Sequence, residues 1–244
     1  MTTNECHRKN IRSAMESTKQ FEEALNLERQ GAYARALEIF RELSSVAEVD
    51  RGDMLFHCGW CLENDPDGDR EEALRYYQLA AETAVNPVVR MNSHFRAGWL
   101  LLHDRDYAAA AAAFHQAITL HEHHPVHEGI YQDAVYWYAL SLEMQGMYLA
   151  AIRWYEKARE ISPRLNPESR YRQILCLNRV GAFEEALALC HTFDHDPPKG
   201  FDIDRYRELC RLVAQERQML ETSLADNYLL ERNPNHDIRK PHTG

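Results

Sequence analysis

Apolar residues recur every three to four positions over most of this chain, which is the periodicity of amphipathic α-helices. The pattern is interrupted by short turns rich in glycine, proline or aspartate, residues that end helices and form turns. The longest gap in it is HDPPKG at 195–200, where two prolines cannot continue a helix. The pattern therefore predicts helices joined by short turns, with no appreciable sheet.

Five of the predicted turns lead into similar helices, so the chain contains an internal repeat. The segments read GAYARALEIF at 31–40, GDREEALRYY at 68–77, RDYAAAAAAF at 105–114, GMYLAAIRWY at 146–155 and GAFEEALALC at 181–190. In each segment an alanine is followed four residues later by a bulky or sulfur-bearing residue. The pairs are Ala36/Phe40, Ala73/Tyr77, Ala110/Phe114, Ala151/Tyr155 and Ala186/Cys190.

A first helix precedes each of these turns, with a small or apolar residue where two helices would cross most closely. These residues are Ala24, Gly59, Gly98, Ala139 and Ile174. A small side chain at a crossing lets two helix axes approach to about 8–10 Å. Because Ile174 is larger than the others, we expect the last helix pair to be wider or less regular.

Across residues 18–193 these segments resemble the tetratricopeptide-repeat (TPR) family, whose helical hairpins recur about every 34 residues. Repeat two departs from the family pattern, with a longer turn at 63–69 and Arg70 where an aromatic residue usually stands. The resemblance implies an all-α fold. It would be a right-handed superhelical solenoid of antiparallel helix pairs, with about five TPR-like repeats and a C-terminal capping helix.

The same pattern divides the chain into four segments. Residues 1–17 are an N-terminal helical extension, either a separate helix or a continuation of the first repeat helix. Residues 18–193 form the repeat array, and residues 203–231 form a helix that caps the last apolar face, as solenoids require. The polar segment 232–244 contains two prolines, and we expect it to be disordered.

The TPR resemblance also implies a binding site on the concave surface that the first helices form. One groove-facing position is aromatic in every repeat, and the position one turn later is apolar. Together they predict a partner-binding groove of Phe21, Leu25, Phe56, Trp60, Phe95, Trp99, Tyr136, Leu140, Tyr171 and Leu175. Aromatic residues dominate binding energies at interfaces. Alternatively, these side chains pack between adjacent first helices, or under the 203–224 helix folded into an otherwise open groove.

Charged residues flank the groove unevenly, with acidic residues early in the chain and Arg96, Arg172 and Arg179 late. We include the three arginines in the predicted site, because a partner with the opposite gradient would complement them. An ordinary solvated helix face is the alternative interpretation. The lysine and asparagines with which some TPR domains bind C-terminal carboxylates are replaced here by aromatic and apolar residues, so that mode is not expected.

Two clusters raise the possibility of a metal site. Cys58 and Cys61 lie three residues apart on one helix face, but a second such pair is absent and a buried structural thiol is the preferred interpretation. The HEHHPVH segment at 121–127 holds four histidines, which we interpret as a solvated loop, leaving open adventitious binding of a divalent ion. We therefore predict no structural metal and no cofactor.

Composition and motifs exclude several classes of function. The formal net charge is −10, which disfavours nucleic acid as a partner. The sequence lacks a membrane-length apolar run and the motifs of nucleotide-binding or hydrolytic enzymes. We expect a cytoplasmic, non-enzymatic scaffold that binds a peptide or protein partner, of unassigned oligomeric state. The alternative is a ligand-sensing or regulatory repeat module that controls an associated enzyme.

Overall fold

The structure is a computed structural model, which describes residues 3–45, 50–193, 197–199 and 201–232. Over these residues the chain is helical and has no strands. The eleven helices of the described ranges are α1 (Thr3–Arg29), α2 (Tyr33–Ser44), α3 (Arg51–Asn64), α4 (Arg70–Thr83), α5 (Pro87–His103), α6 (Tyr107–His123), α7 (Glu128–Met144), α8 (Tyr148–Ile161), α9 (Asn166–Arg179), α10 (Phe183–His191) and α11 (Ile203–Arg232).

Local sequence explains where the helices of the central repeats begin. The side chains of Asp50, Asp69, Asn86 and Asp106 each accept a hydrogen bond from a backbone N–H in the first turn of α3, α4, α5 or α6. These bonds satisfy donors that a helix N-terminus otherwise leaves unpaired. Pro87 occupies the first turn of α5, where its missing N–H costs nothing.

Three of the turns between paired helices depend on glycine. Gly31, Gly146 and Gly181 have φ values of 76°, 76° and 79°, in the left-handed region that glycine adopts without steric penalty. Arg105, in the turn between α5 and α6, has a φ of 62°. In this repeat the same left-handed turn conformation is therefore formed by an arginine instead of a glycine.

The chain divides into two units, Met1–Ser141 and Leu142–Gly244, with the boundary inside α7. In the first unit each helix from α1 to α6 packs on its neighbour in sequence, and α3 also packs on α5. The predicted core alanines Ala36, Ala73 and Ala110 are fully buried there, as are Phe40, Tyr77 and Phe114.

The close helix crossings of the first unit lie where the sequence predicts them. A Cβ added to Gly59 would lie 2.9 Å from the Tyr77 ring, and one added to Gly98 would lie 2.9 Å from the Phe114 ring. Real Cβ atoms do not approach other atoms this closely. In both repeats, the missing side chain of the first helix makes room for the aromatic ring of the second.

In the second unit, α8 packs on α9, α9 on α10, and α11 on both α9 and α10. Ala151, Ala186, Tyr155 and Ile174 are buried. From α11, Val213 and Leu220 join a core cluster with Ile174, Leu177, Ala186 and Cys190. The long terminal helix thus covers the apolar face that the α9–α10 pair leaves.

At the N-terminus α1 runs without a break from Thr3 to Arg29, so residues 3–17 continue the first repeat helix. α11 spans the segment predicted as the capping helix. Most of the tail at 232–244 lies outside the described residues.

Candidate functional site

The predicted first-helix aromatic residues of the first unit contact the second helix of their own repeat. Phe21 meets Phe40 at a ring-centroid distance of 6.0 Å, Phe56 meets Tyr77 at 5.6 Å, and Phe95 meets Phe114 at 5.7 Å. All three first-helix rings are half-buried, and Tyr136 is buried. These rings contribute to the core on one side, so their partner-binding role stays a prediction.

The residues one helical turn after these aromatic positions make different contacts. Trp60 and Trp99 are half-buried, and their contacts are with the next first helix along the chain. The Arg96 guanidinium lies 4.8 Å from the centroid of the Trp60 ring. Trp99 meets Trp137 edge to face at 4.8 Å, a favourable geometry for aromatic pairs. Leu25 and Leu140 occupy the same position in repeats one and four and are half-buried.

These contacts connect three neighbouring first helices. Arg96 and Trp99 are three residues apart on α5, so they share one helix face. His103 lies one turn beyond Trp99, with its ring centroid 4.4 Å from that indole. We call the set Trp60, Arg96, Trp99, His103 and Trp137 the indole strip.

Arg96 also takes part in a half-buried hydrogen-bond group that the sequence analysis did not foresee. Its Nε donates to Glu63 Oε2 at 2.9 Å, and its Nη2 donates to Glu63 Oε1. The Tyr77 hydroxyl donates to the same Oε2 at 2.7 Å. Burial acts to lower the pKa of Arg96, but the bonds and charge of Glu63 outweigh it and raise that pKa.

The second unit repeats this group with Glu143, Tyr155 and Arg172. The Tyr155 hydroxyl donates to Glu143 at 2.6 Å, and Arg172 Nη1 donates to it at 3.2 Å. Repeat one uses a variant in which His57 Nδ1 lies 2.7 Å from Glu28 Oε2 and the imidazole stacks on Phe40. In repeat three the corresponding positions are Leu102, Phe114 and Trp137, which are apolar.

This recurrence shows what the predicted groove arginines do within the protein. Arg96 and Arg172 each hold a carboxylate of the preceding first helix, so their charges are largely neutralised. Arg179 is exposed at the end of α9. Tyr171 and Leu175 are half-buried, and Tyr171 packs against the core cluster that α9, α10 and α11 share. Sequence reasoning missed this arrangement because the glutamate recurs in three repeats only.

The candidate thiols are buried, as predicted, but the interpretation of the histidine cluster as a solvated loop was wrong for its first half, because His121 and His123 lie on α6. Cys58 and Cys61 are fully buried, and His121 is buried and stacked on Tyr131 at 4.2 Å. His121 Nε2 also lies 3.4 Å from Glu128. His123 lies on the exposed surface, with its Nδ1 2.7 Å from the Thr119 carbonyl oxygen. Within the described part of the chain, no group of three histidine, cysteine or acidic residues has a metal-binding arrangement.

Thiol reactivity should follow this burial. Burial raises the pKa of Cys58 and of Cys176 to about 12 and that of Cys190 to about 11, and it raises the pKa of Cys61 as well. These thiols therefore stay protonated at neutral pH, and the thiolate is the reactive form. Burial raises the pKa of Cys210 too, but its side chain is only half-buried and reagents can reach it. In a Cys6→Ser variant titrated with DTNB at pH 8, we therefore expect one fast thiol, Cys210, and four that react only on unfolding. Two or more fast thiols would contradict the burial.

Comparisons with known proteins agree on the fold. The solved structure of MamA AMB-1 is similar, with 15% identity and a TM-score of 0.58, covering 79% of this chain and 97% of that one. Another MamA crystal structure has 16% identity and a TM-score of 0.56, covering 82% and 96%. A Podosopora anserina protein described as a kinesin light chain with nearly identical TPR-like repeats has 12% identity and a TM-score of 0.53, covering 79% and 93%.

The protein thus has a tetratricopeptide-repeat type fold, and the predicted all-α repeat architecture is confirmed. No family model and no curated protein sequence matches the chain. No helix among the described residues has the length and apolar character needed to cross a membrane.

Proposed function

We propose that this protein is a non-enzymatic scaffold that binds a peptide segment of a partner protein along the indole strip. The observation that supports this most directly is the exposure of large aromatic surface on three consecutive first helices. Trp60, Trp99 and Trp137 are each only half-buried, although tryptophan is usually placed where most of its ring is covered. Half-buried indoles are common anchors at protein interfaces.

The charges of the strip also limit which segment would bind. Arg96 forms an ion pair with Glu63, so it can contribute to partner binding mainly through its planar guanidinium, which stacks on Trp60. His103 is exposed beside Trp99. The strip therefore offers a flat aromatic surface with a paired guanidinium instead of a deep pocket, which suits an extended or helical segment with several apolar side chains. In the same unit, the half-buried rings of Phe21, Phe56 and Phe95 would support the first helices from the core side.

Truncating Trp99 should test this assignment. Partners would be identified by affinity purification from the native cell and mass spectrometry, and one of them would be purified for fluorescence anisotropy. Trp99→Ala should raise the Kd for that partner at least about tenfold, a loss of about 1.4 kcal/mol, because this central indole packs on Trp137 of α7 and lies beside His103.

Tyr107→Ala is the matched control, since Tyr107 is a half-buried aromatic residue on the second helix α6, outside the indole strip. Its Kd should stay within twofold of the wild type. Melting curves of both variants separate a binding loss from a folding loss. Equal Kd values for Trp99→Ala and the wild type, in a folded variant, would move the binding site off the strip.

A further inference from the structure

A second surface, in the unit Leu142–Gly244, lies outside the predicted groove. It surrounds the turn between α7 and α8 and forms a cavity of about 530 Å³, within the range of natural ligand pockets. The lining residues are Gly146, Met147, Tyr148, Leu149, Ala150, Arg153, Trp154 and Val180. We call this the turn pocket.

Large apolar side chains around the turn pocket are exposed to solvent. Met147 is 50% exposed, Leu149 is 64% exposed and Val180 is 38% exposed. Met144, 47% exposed, lies just before the same turn. Exposed large apolar residues scattered singly need no explanation, but three of them lining one cavity, with a fourth beside the same turn, are typical of a binding surface. Ala151, Tyr155 and Ala158 are the buried residues of α8, so Leu149 is not needed in the core of that helix.

The charge of the pocket indicates the chemistry of its ligand. Arg153 is the one charged residue among those that line it, and it is exposed. Within the described part of the chain, the Arg153 guanidinium has no ion-pair partner, unlike Arg172 with Glu143. The Lys157 ammonium lies 4.7 Å from the ring centroid of Trp154, which lines the pocket. An apolar cavity with the Arg153 cation in its lining complements a segment that carries both apolar side chains and carboxylates.

We propose that the turn pocket binds an acidic, apolar peptide segment of a partner protein. Apolar side chains of the segment enter the cavity between Met147, Leu149 and Val180, and a neighbouring carboxylate pairs with Arg153. A second copy of this chain is the competing occupant, and sedimentation velocity distinguishes it from a peptide segment. The proposal is independent of the indole strip, which lies in the other unit.

Two synthetic peptides of equal length would test the charge preference. In one, leucine and phenylalanine alternate with aspartate; in the other, lysine replaces each aspartate. Fluorescein-labelled and titrated at about 0.15 M salt, the aspartate peptide should bind at least tenfold more tightly than the lysine peptide. Methyl-labelled protein should show the largest shift at Met147 and no shift at the buried Met54 or Met91. Equal affinities, no binding, or shifts confined to other methyls would overturn the proposal.

Charge reversal supplies the matched variants. Arg153→Glu should weaken binding of the aspartate peptide at least tenfold, whereas Arg35→Glu, an exposed arginine on the second helix α2, should change it less than twofold. Trp99→Ala should leave this affinity unchanged, so failure here is distinguishable from failure of the indole strip. Unchanged affinity in Arg153→Glu would refute the proposed ion pair.

Self-association is the competing outcome and has its own readout. In sedimentation velocity, we expect no dimer that forms with increasing concentration through the turn pocket. Such a dimer would be lost in Leu149→Asp and kept in Leu79→Asp, where Leu79 is an exposed leucine on α4. A dimer with that pattern would assign the turn pocket to a second copy of this chain and overturn the proposal.

Discussion

Glu63→Leu should lower the free energy of unfolding by about 2–3 kcal/mol, one of the two largest effects we expect in this protein. Removing one partner of a fully buried ion pair costs about 3–5 kcal/mol, because the other charge is left without compensation. The cost should be smaller here, since the Arg96 side chain is 21% exposed and water can reach it. The variant also leaves the buried Tyr77 hydroxyl without its acceptor.

Repeat three shows how the loss can be repaired. There the positions of Tyr77, Glu63 and Arg96 are occupied by Phe114, Leu102 and Trp137, and Trp137 packs on Trp99 as Arg96 packs on Trp60. The triple variant Tyr77→Phe, Glu63→Leu, Arg96→Trp should therefore recover at least half of the lost stability. Replacing a buried ion pair by well-packed apolar residues is often neutral or stabilising.

Urea unfolding followed by far-UV circular dichroism would measure both variants. Glu72→Leu is the control, because Glu72 pairs with Arg41 on the surface, where side chains 31% and 43% exposed contribute less than about 1 kcal/mol. A triple variant as unstable as Glu63→Leu would show that the two arrangements are not interchangeable.

The repeat architecture could be predicted from the sequence because it rests on steric rules. A glycine or alanine at four of the five close crossings identifies the helix pairs without knowledge of distances, as does an aromatic residue four positions after the second-helix alanine in four of the five repeats. Gly59 beside Tyr77 and Gly98 beside Phe114 lie where these rules place them. Ile174 is fully buried, so the largest residue at a crossing position is also accommodated.

The candidate sites could be predicted less completely, because the sequence does not show which face of a side chain is already occupied. Phe56 and Trp60 are one helical turn apart and look equivalent in a pattern, yet Phe56 contacts its own second helix and Trp60 contacts the next first helix. The partnership of Arg96 with Glu63 joins residues 33 positions apart. The turn pocket was missed for a related reason, since Val180 and Leu149 lie in different repeats and only the fold brings them together.

The second large effect should come from the crossing of α5 and α6. Phe114→Ala should cost about 3–5 kcal/mol, because it removes a fully buried ring and leaves a cavity. Gly98→Leu should cost about 3 kcal/mol, at the upper end for overpacking, because its Cβ alone would lie 2.9 Å from the Phe114 ring. A rigid aromatic ring cannot move its far end aside as a flexible side chain can.

Combining the two changes tests whether this contact is the cause of both losses. In the double variant the new leucine enters the space that the ring has left, so the combined loss should fall short of the sum of the single losses by about 2 kcal/mol. Gly98→Leu combined with Phe40→Ala is the control, since Phe40 is buried in repeat one, and those losses should add. Urea unfolding of all five variants gives both coupling energies. If the losses of Gly98→Leu and Phe114→Ala were additive as well, the α5–α6 crossing would not depend on the fit between the missing side chain and the ring. The small-residue rule that identified the repeats would then lose its physical basis here.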